Sequence, residues 1–94
     1  MPIGLLTIHI HLPGCSSLKE KRSRLKPLLA RMQKEFNLSV AEMDQMDTWS
    51  ESVIACAQVS NDNRHTQRVL QRVINWIEMY WPDVEIINDS IELI

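Results

Sequence analysis

The sequence has little of several residue types whose abundance defines whole classes of protein. Two cysteines, two glycines and four prolines among 94 residues exclude a disulfide framework, a collagen-like repeat and a glycine- or proline-rich disordered chain. The cysteines show no C-x-x-C or other zinc-ligand spacing, so we expect two reduced thiols. The longest apolar run has only five residues, Val53 to Ala57, whereas a membrane-spanning helix needs about 20. We therefore expect a cytoplasmic protein with no membrane segment.

What the chain does contain is an ordinary globular composition, 45% hydrophobic and 23% charged. A chain of 94 residues is far shorter than the length at which a hydrophobic core divides. We therefore expect residues 1–94 to form a single domain.

The first part of the chain carries a strand pattern followed by a helix pattern. One face of the predicted strand is fully apolar and comprises Leu6, Ile8, Ile10 and Leu12. The other face is mixed and comprises Leu5, Thr7, His9 and His11. Ser17 and Glu20 have the S-x-x-E spacing of a helix N-terminus, and the helix that follows should bend or divide over residues 23–26 because of Pro27.

The rest of the chain predicts a short strand over Leu38–Met43, a turn over Asp44–Thr48 and a long strand over Trp49–Ser60. For the long strand we predict a buried face comprising Val53, Ala55, Ala57 and Val59. Its open face would then comprise Ser52, Ile54, Cys56, Gln58 and Ser60. A strongly periodic helix follows the capping residues 61–63 and ends at Pro82, and residues 84–94 close the chain as a strand with a bulge at Ile86-Ile87.

The order of these elements is strand, helix, strand, strand, helix, strand. This βαββαβ order is typical of the α+β ferredoxin-like sandwich, in which a four-stranded antiparallel sheet carries both helices on one face. The other face of the sheet is left open.

Two sequence blocks carry a resemblance to a known family. They are Ser17-Leu18-Lys19-Glu20-Lys21-Arg22 and Phe36-Asn37-Leu38-Ser39-Val40-Ala41-Glu42, joined by Asp47-Thr48-Trp49 and Val59-Ser60-Asn61-Asp62. Over essentially its whole length the chain resembles the YlxP-like family, domain of unknown function 503. The resemblance implies small bacterial cytosolic proteins with the ferredoxin-like fold, whose genes often neighbour those of translation and ribosome-maturation factors. It implies no established reaction.

The distribution of charge is more informative than the net charge of −2. From Lys19 to Lys34 there are seven bases and one acid, whereas the rest of the chain has three bases and eleven acids. Those three bases, Arg64, Arg68 and Arg72, are four residues apart on the second helix. Every lysine and arginine is helical in this interpretation, so we expect all ten to share one face of the molecule.

The segregated bases favour a noncatalytic RNA- or ribosome-associated factor that contacts phosphates of ribosomal or other structured RNA. The predicted RNA-binding residues are Lys19, Arg22, Arg24, Lys26, Arg64, Arg68 and Arg72. An ordinary solvated helix face is the alternative explanation for the charges. The alternative function is a homo-oligomeric, for instance homodimeric, or protein-interaction module that uses the open sheet face.

Other candidate sites have weaker signals. His9, His11 and Cys56 would lie on one sheet face as metal ligands, but H-x-H alone is a weak pattern, and we expect no metal or other cofactor. Cys15 near the helix start is either a reactive thiol or part of a turn and cap. Trp76 either stacks on Arg72 or packs at the edge of the core. No nucleophile, base and orienting group occur in a recognisable arrangement, so we predict no enzymatic activity.

Overall fold

The predicted order of elements is confirmed. The computed structural model describes residues 3–44 and 48–94. Along the chain the elements are β1 (Ile3–His11), α1 (Leu18–Phe36), β2 (Ser39–Asp44), β3 (Glu51–Val59), α2 (Asn63–Tyr80) and β4 (Glu85–Leu93). The turn predicted over Asp44–Thr48 falls mostly on residues 45–47, which lie outside the described residues.

The four strands form one antiparallel sheet in the order β2-β3-β1-β4. Together with the two helices this is the βαββαβ arrangement of the ferredoxin-like α+β fold. The predicted bulge in β4 is present, because His9 pairs with Asn88 while the next residue, Ile10, pairs with Ile86. Ile87 is therefore the extra residue of the bulged strand.

The core face of β1 is the predicted one, whereas the prediction for β3 is wrong. Leu6 and Ile8 of β1 are fully buried, and their partners in β3 are Cys56 and Ile54. Directly paired residues of neighbouring strands point to the same side of the sheet. Ile54 and Cys56 therefore belong to the core beneath the helices.

The residues predicted as the buried face of β3 lie on the open face of the sheet. Ala55 and Ala57 are half-buried there, and Val59 is 60% exposed. The physical reason is that each face of β3 has apolar residues at its centre, Ile54 and Cys56 on one and Ala55 and Ala57 on the other, so alternation alone does not select between them. Ser52 can be buried on the core side because its hydroxyl donates a 2.6 Å hydrogen bond to Oε2 of Glu42.

Helix α1 is a single unbroken helix that contains Pro27, so the predicted division does not occur. Proline has no amide hydrogen, so the Ser23 carbonyl oxygen loses its helical donor at Pro27. Both residues are exposed, so water can replace that donor.

Ser17 caps the helix as predicted and accepts a 3.1 Å hydrogen bond from the Glu20 amide. The Glu20 carboxylate accepts from the Ser16 amide at 2.7 Å, and this hydrogen bond lowers the pKa of Glu20 below its ordinary value.

Helix α2 packs closely over the start of β1. Asp62 caps the helix by accepting from the Arg64 amide at 2.9 Å. Its buried side comprises Thr66, Val69, Leu70, Val73, Ile74 and Ile77. At Gly4 the approach is so close that an added Cβ would overlap the Thr66 methyl group and lie 2.8 Å from a methyl of Leu70. Glycine at this position lets α2 reach the sheet.

We therefore expect Gly4→Ala to destabilise the protein by about 1–3 kcal/mol, because the new methyl group overpacks the helix–sheet contact. Urea unfolding followed by circular dichroism measures this difference. Thr66→Ser removes the overlapping methyl group and keeps the hydroxyl that lies 2.6 Å from Oγ of Ser60. The double variant should regain part of the stability, and a double variant no more stable than Gly4→Ala would contradict the proposed overlap.

Candidate nucleic-acid interface

All ten lysines and arginines lie on the two helices, which together form the helix layer of the protein. Helix α1 carries seven of them with two acids, and α2 carries three with one acid. The remaining sequence has no lysine or arginine and nine acids. The formal charge of the helix layer is therefore positive, and that of the rest of the chain is negative.

Lys21 departs from the expectation that all ten bases share one face of the molecule. Its side chain is only 2% exposed, and Nζ lies 2.9 Å from Oε2 of Glu42 in β2. Nζ also donates a 2.7 Å hydrogen bond to the Thr48 carbonyl oxygen. An ammonium group can be buried when a carboxylate and a carbonyl replace its water, so Lys21 joins α1 to the sheet and is not available to a ligand.

Three further bases donate to groups of the protein itself, and one of them is Arg68, whose Nε donates to the Arg64 carbonyl oxygen at 3.3 Å. The Arg24 guanidinium donates to the carbonyl oxygen of Pro13 at 2.8 Å and to that of Asp83 at 2.6 Å. It therefore connects the loop before α1 with the loop after α2. Arg31 pairs with Glu35 one turn further along α1 at 3.2 Å.

The other six predicted residues form what we term the cationic surface. They are Lys19, Arg22, Lys26, Arg64, Arg68 and Arg72, and all are exposed. With the acids that the structure describes, none of the six forms an ion pair. A shallow depression of about 440 Å³ on α2 is lined by Arg64 and Arg68 with two neutral glutamines, Gln67 and Gln71. Arg22 and Lys26 line a separate depression on α1 together with Glu42, so the row on α2 is the part that suits a chain of phosphates, which guanidinium groups neutralise.

An aromatic cluster lies between the two helices, beyond the arginines of α2. The Trp76 ring centre is 5.6 Å from that of Phe36, 5.8 Å from Trp81 and 6.4 Å from Tyr80. Packing at the edge of the core, one of the two alternatives for Trp76, accounts for these contacts. A groove of about 440 Å³ opens beside the cluster, and we term it the aromatic groove; its lining residues are Arg31, Glu35, Trp76, Tyr80 and Trp81.

Sequence reasoning did not identify the aromatic groove. A signal was present, since Trp76 and Tyr80 continue the four-residue spacing of Arg64, Arg68 and Arg72. The side of the groove formed by Arg31 and Glu35 depends on how α1 and α2 pack, which the spacing within either helix does not reveal.

The three candidate metal ligands do not come together. His9 and His11 lie on the open face of the sheet, whereas Cys56 is fully buried on the core face. His9 Nε2 lies 2.7 Å from Oε1 of Glu51, and His11 Nδ1 lies 3.9 Å from Oε2 of Glu85. Within residues 3–44 and 48–94, no three His, Cys, Asp or Glu side chains are placed to hold a metal ion.

Both cysteines are buried free thiols. Cys15 Sγ lies 3.6 Å from the Ser17 carbonyl oxygen, within the turn that leads to the helix cap. Burial raises the pKa of the Cys56 thiol to about 12. A thiolate is the reactive form of cysteine, so Cys56 is held in its unreactive form at neutral pH.

In the variant Cys15→Ser, we therefore expect no alkylation of Cys56 by iodoacetamide at pH 8 while the protein is folded, and complete alkylation in denaturing urea. Mass spectrometry of the quenched reaction measures both. Rapid modification of Cys56 in the folded protein would contradict its placement beneath the helices.

The open face of the sheet is largely apolar at its centre. A shallow depression of about 220 Å³ is lined there by residues that include Leu5, Ala41, Ala55 and Ala57. No aromatic side chain belongs to the strands as far as the structure describes them. Base stacking on the sheet, as in RNA-recognition domains, therefore has no platform in the described strands.

Neither described helix combines the length and apolarity required to cross a lipid bilayer. The fold and the charge distribution define a small ferredoxin-like α+β protein with a cationic helix layer. The chain belongs to the family described as protein of unknown function (DUF503), whose model matches residues 3–91. It is similar to a protein of Bacillus subtilis (strain 168) named uncharacterized protein YlxP, with 37% identity over 83 residues that cover 88% of this chain and 89% of that protein.

Proposed function

We propose that the protein is a noncatalytic, cytoplasmic RNA-binding factor that contacts phosphates of ribosomal or other structured RNA through its cationic surface. The observation that supports this proposal is the placement of every lysine and arginine on two helices that pack on the same side of one sheet. Ordinary solvated helices intersperse both signs of charge, whereas nine acids of this chain lie outside the helices.

The chemistry of the surface fits binding better than reaction. Guanidinium groups stay protonated at all physiological pH values, so they neutralise phosphate without exchanging protons with it. Arg24 is expected to contribute less than the other predicted residues, because its two η nitrogens already donate to carbonyl oxygens. The three arginines of α2 form the most regular part of the cationic surface.

The triple variant Arg64→Gln, Arg68→Gln, Arg72→Gln tests the proposal. We expect wild-type protein to cosediment with ribosomal subunits at low salt, with an association constant that falls log-linearly as salt rises. The triple variant should bind at least roughly tenfold more weakly, with a salt slope reduced by about 2–3, because each lost phosphate contact removes nearly one released counterion.

The matched control adds the same net charge change on the other side of the molecule. Ser39→Glu, Asn88→Glu and Ser90→Glu are substitutions at exposed positions of the strands, and together they also change the net charge by three. At protein concentrations where the wild type is a monomer, this control should bind almost as well as wild type. Equal loss in both triple variants, or wild-type binding by a folded arginine variant, would contradict a specific role for α2.

A second candidate function is self-association through the open face. The observation that favours it is the apolar centre of that face, where Leu5, Ala55 and Ala57 lie together and Val59 is 60% exposed. A surface of this kind is typical of interfaces in symmetric dimers.

If the open face is a dimer interface, Ala57→Arg should convert the dimer into a monomer, because the new charge would be desolvated at its centre. Sedimentation velocity over a range of protein concentrations measures the change. Ala30→Arg, on the exposed side of α1, is the control and should leave the dimer intact. A wild-type protein that stays monomeric at high concentration contradicts this second function.

A further inference from the structure

The last arginine of α2 precedes the aromatic groove by one turn of the helix. Arg64, Arg68 and Arg72 are followed at the same spacing by Trp76 and Tyr80. Each step of four residues advances about 6 Å along the helix axis and turns about 40° around it, so the row winds gradually around α2. Arg72 is one such step before Trp76, so a ligand held by Arg72 can reach the aromatic residues.

The walls of the groove offer two kinds of contact. Trp76 is braced by the edge of the Phe36 ring, with an interplanar angle of 85°, and is half-buried. Tyr80 is 64% exposed, so most of its ring is free to contact a ligand. On the opposite side lies the Arg31–Glu35 pair, which keeps further N–H donors and a second carboxylate oxygen beyond the 3.2 Å contact between Nη2 and Oε1.

These contacts match the chemistry of a nucleotide. Aromatic rings stack on any nucleobase, while paired donors and acceptors can bind the polar base edges. The neighbouring cationic surface adds attraction for the phosphates that every nucleotide of a strand carries. A proline-rich peptide without acidic residues could use the aromatic rings but would gain nothing from the six exposed bases, which have no ionic partners among the described acids.

We propose that the aromatic groove binds an unpaired nucleobase of an RNA strand whose phosphates lie along the arginines of α2. The inference rests on the proposed function and adds to it a preference for single-stranded or bulged RNA. In a continuous duplex the bases are stacked on one another, so the groove could not reach a base face.

The test uses fluorescence of Trp76 and Trp81 in a Trp49→Phe background, titrated with a single-stranded RNA decamer and with a duplex of the same length. We expect the single strand to quench the fluorescence and the duplex to bind without quenching. Tyr80→Ala should weaken single-strand binding roughly fivefold or more while leaving duplex binding unchanged. Tyr80→Phe should retain the affinity, because the ring is kept.

Met79→Ala is the matched control, since Met79 lies next to Tyr80 on α2, is 70% exposed and does not line the groove. Its affinity for both RNAs should equal that of wild type. Thermal unfolding of each variant tests whether the fold is retained.

Different failures separate the two proposals. If the single strand binds Tyr80→Ala as tightly as wild type, while the α2 arginine variant binds weakly, the groove inference is wrong and phosphate binding stands. If neither RNA binds even at about 50 mM salt, both proposals are wrong. If a proline-rich decapeptide quenches the fluorescence and RNA does not, the groove is a peptide site.

Discussion

The packing of both helices against one face of the sheet is the constraint on which the rest of the structure depends. That face is occupied by large aliphatic side chains such as Leu6 and Ile8, which are fully buried. Charged groups of the helices are then excluded from the sheet side, unless they bring a partner, and must lie on the outer surface. Because no lysine or arginine occurs outside the helices, this packing alone makes one side of the molecule cationic.

Lys21 shows how a charged residue satisfies the same constraint between α1 and the sheet. Positions 21, 25, 28 and 32 form the buried side of α1, so the lysine occupies a core position. Glu42 of β2 and the Thr48 carbonyl oxygen supply the partners that burial of an ammonium requires. Ser52 donates to the same Glu42 oxygen, which connects α1, β2 and β3 through one carboxylate. The lysine therefore helps to fix the position of α1 on the sheet, and its charge is neutralised inside the protein by Glu42.

Sequence patterns predict the elements whose two faces differ clearly. In β1 one face is aliphatic and the other carries Thr7 and two histidines, and the structure confirms the prediction. In β3 both faces have apolar residues at their centre, so only pairing with β1 decides that the face with Ile54 and Cys56 is buried, and pairing is a property of the folded chain. Lys21 lies four residues before Leu25, so the sequence places it on the apolar side of α1, but its partner Glu42 lies 21 residues away in β2. The aromatic groove is lined by residues of both helices, and no local sequence pattern predicts how the two helices pack.

The placement of β3 also separates the two candidate functions in space. The cationic surface and the aromatic groove lie on the helix layer, whereas the apolar depression around Leu5 and Ala57 lies on the opposite side of the sheet. Self-association through the sheet would therefore leave the residues proposed to bind phosphates exposed on each copy. Because the two helix layers of such a dimer face away from each other, the dimer would hold two separate RNA segments instead of widening one site. RNA binding would then gain through two-point attachment when both segments belong to one molecule, without any change in the contacts that each copy makes.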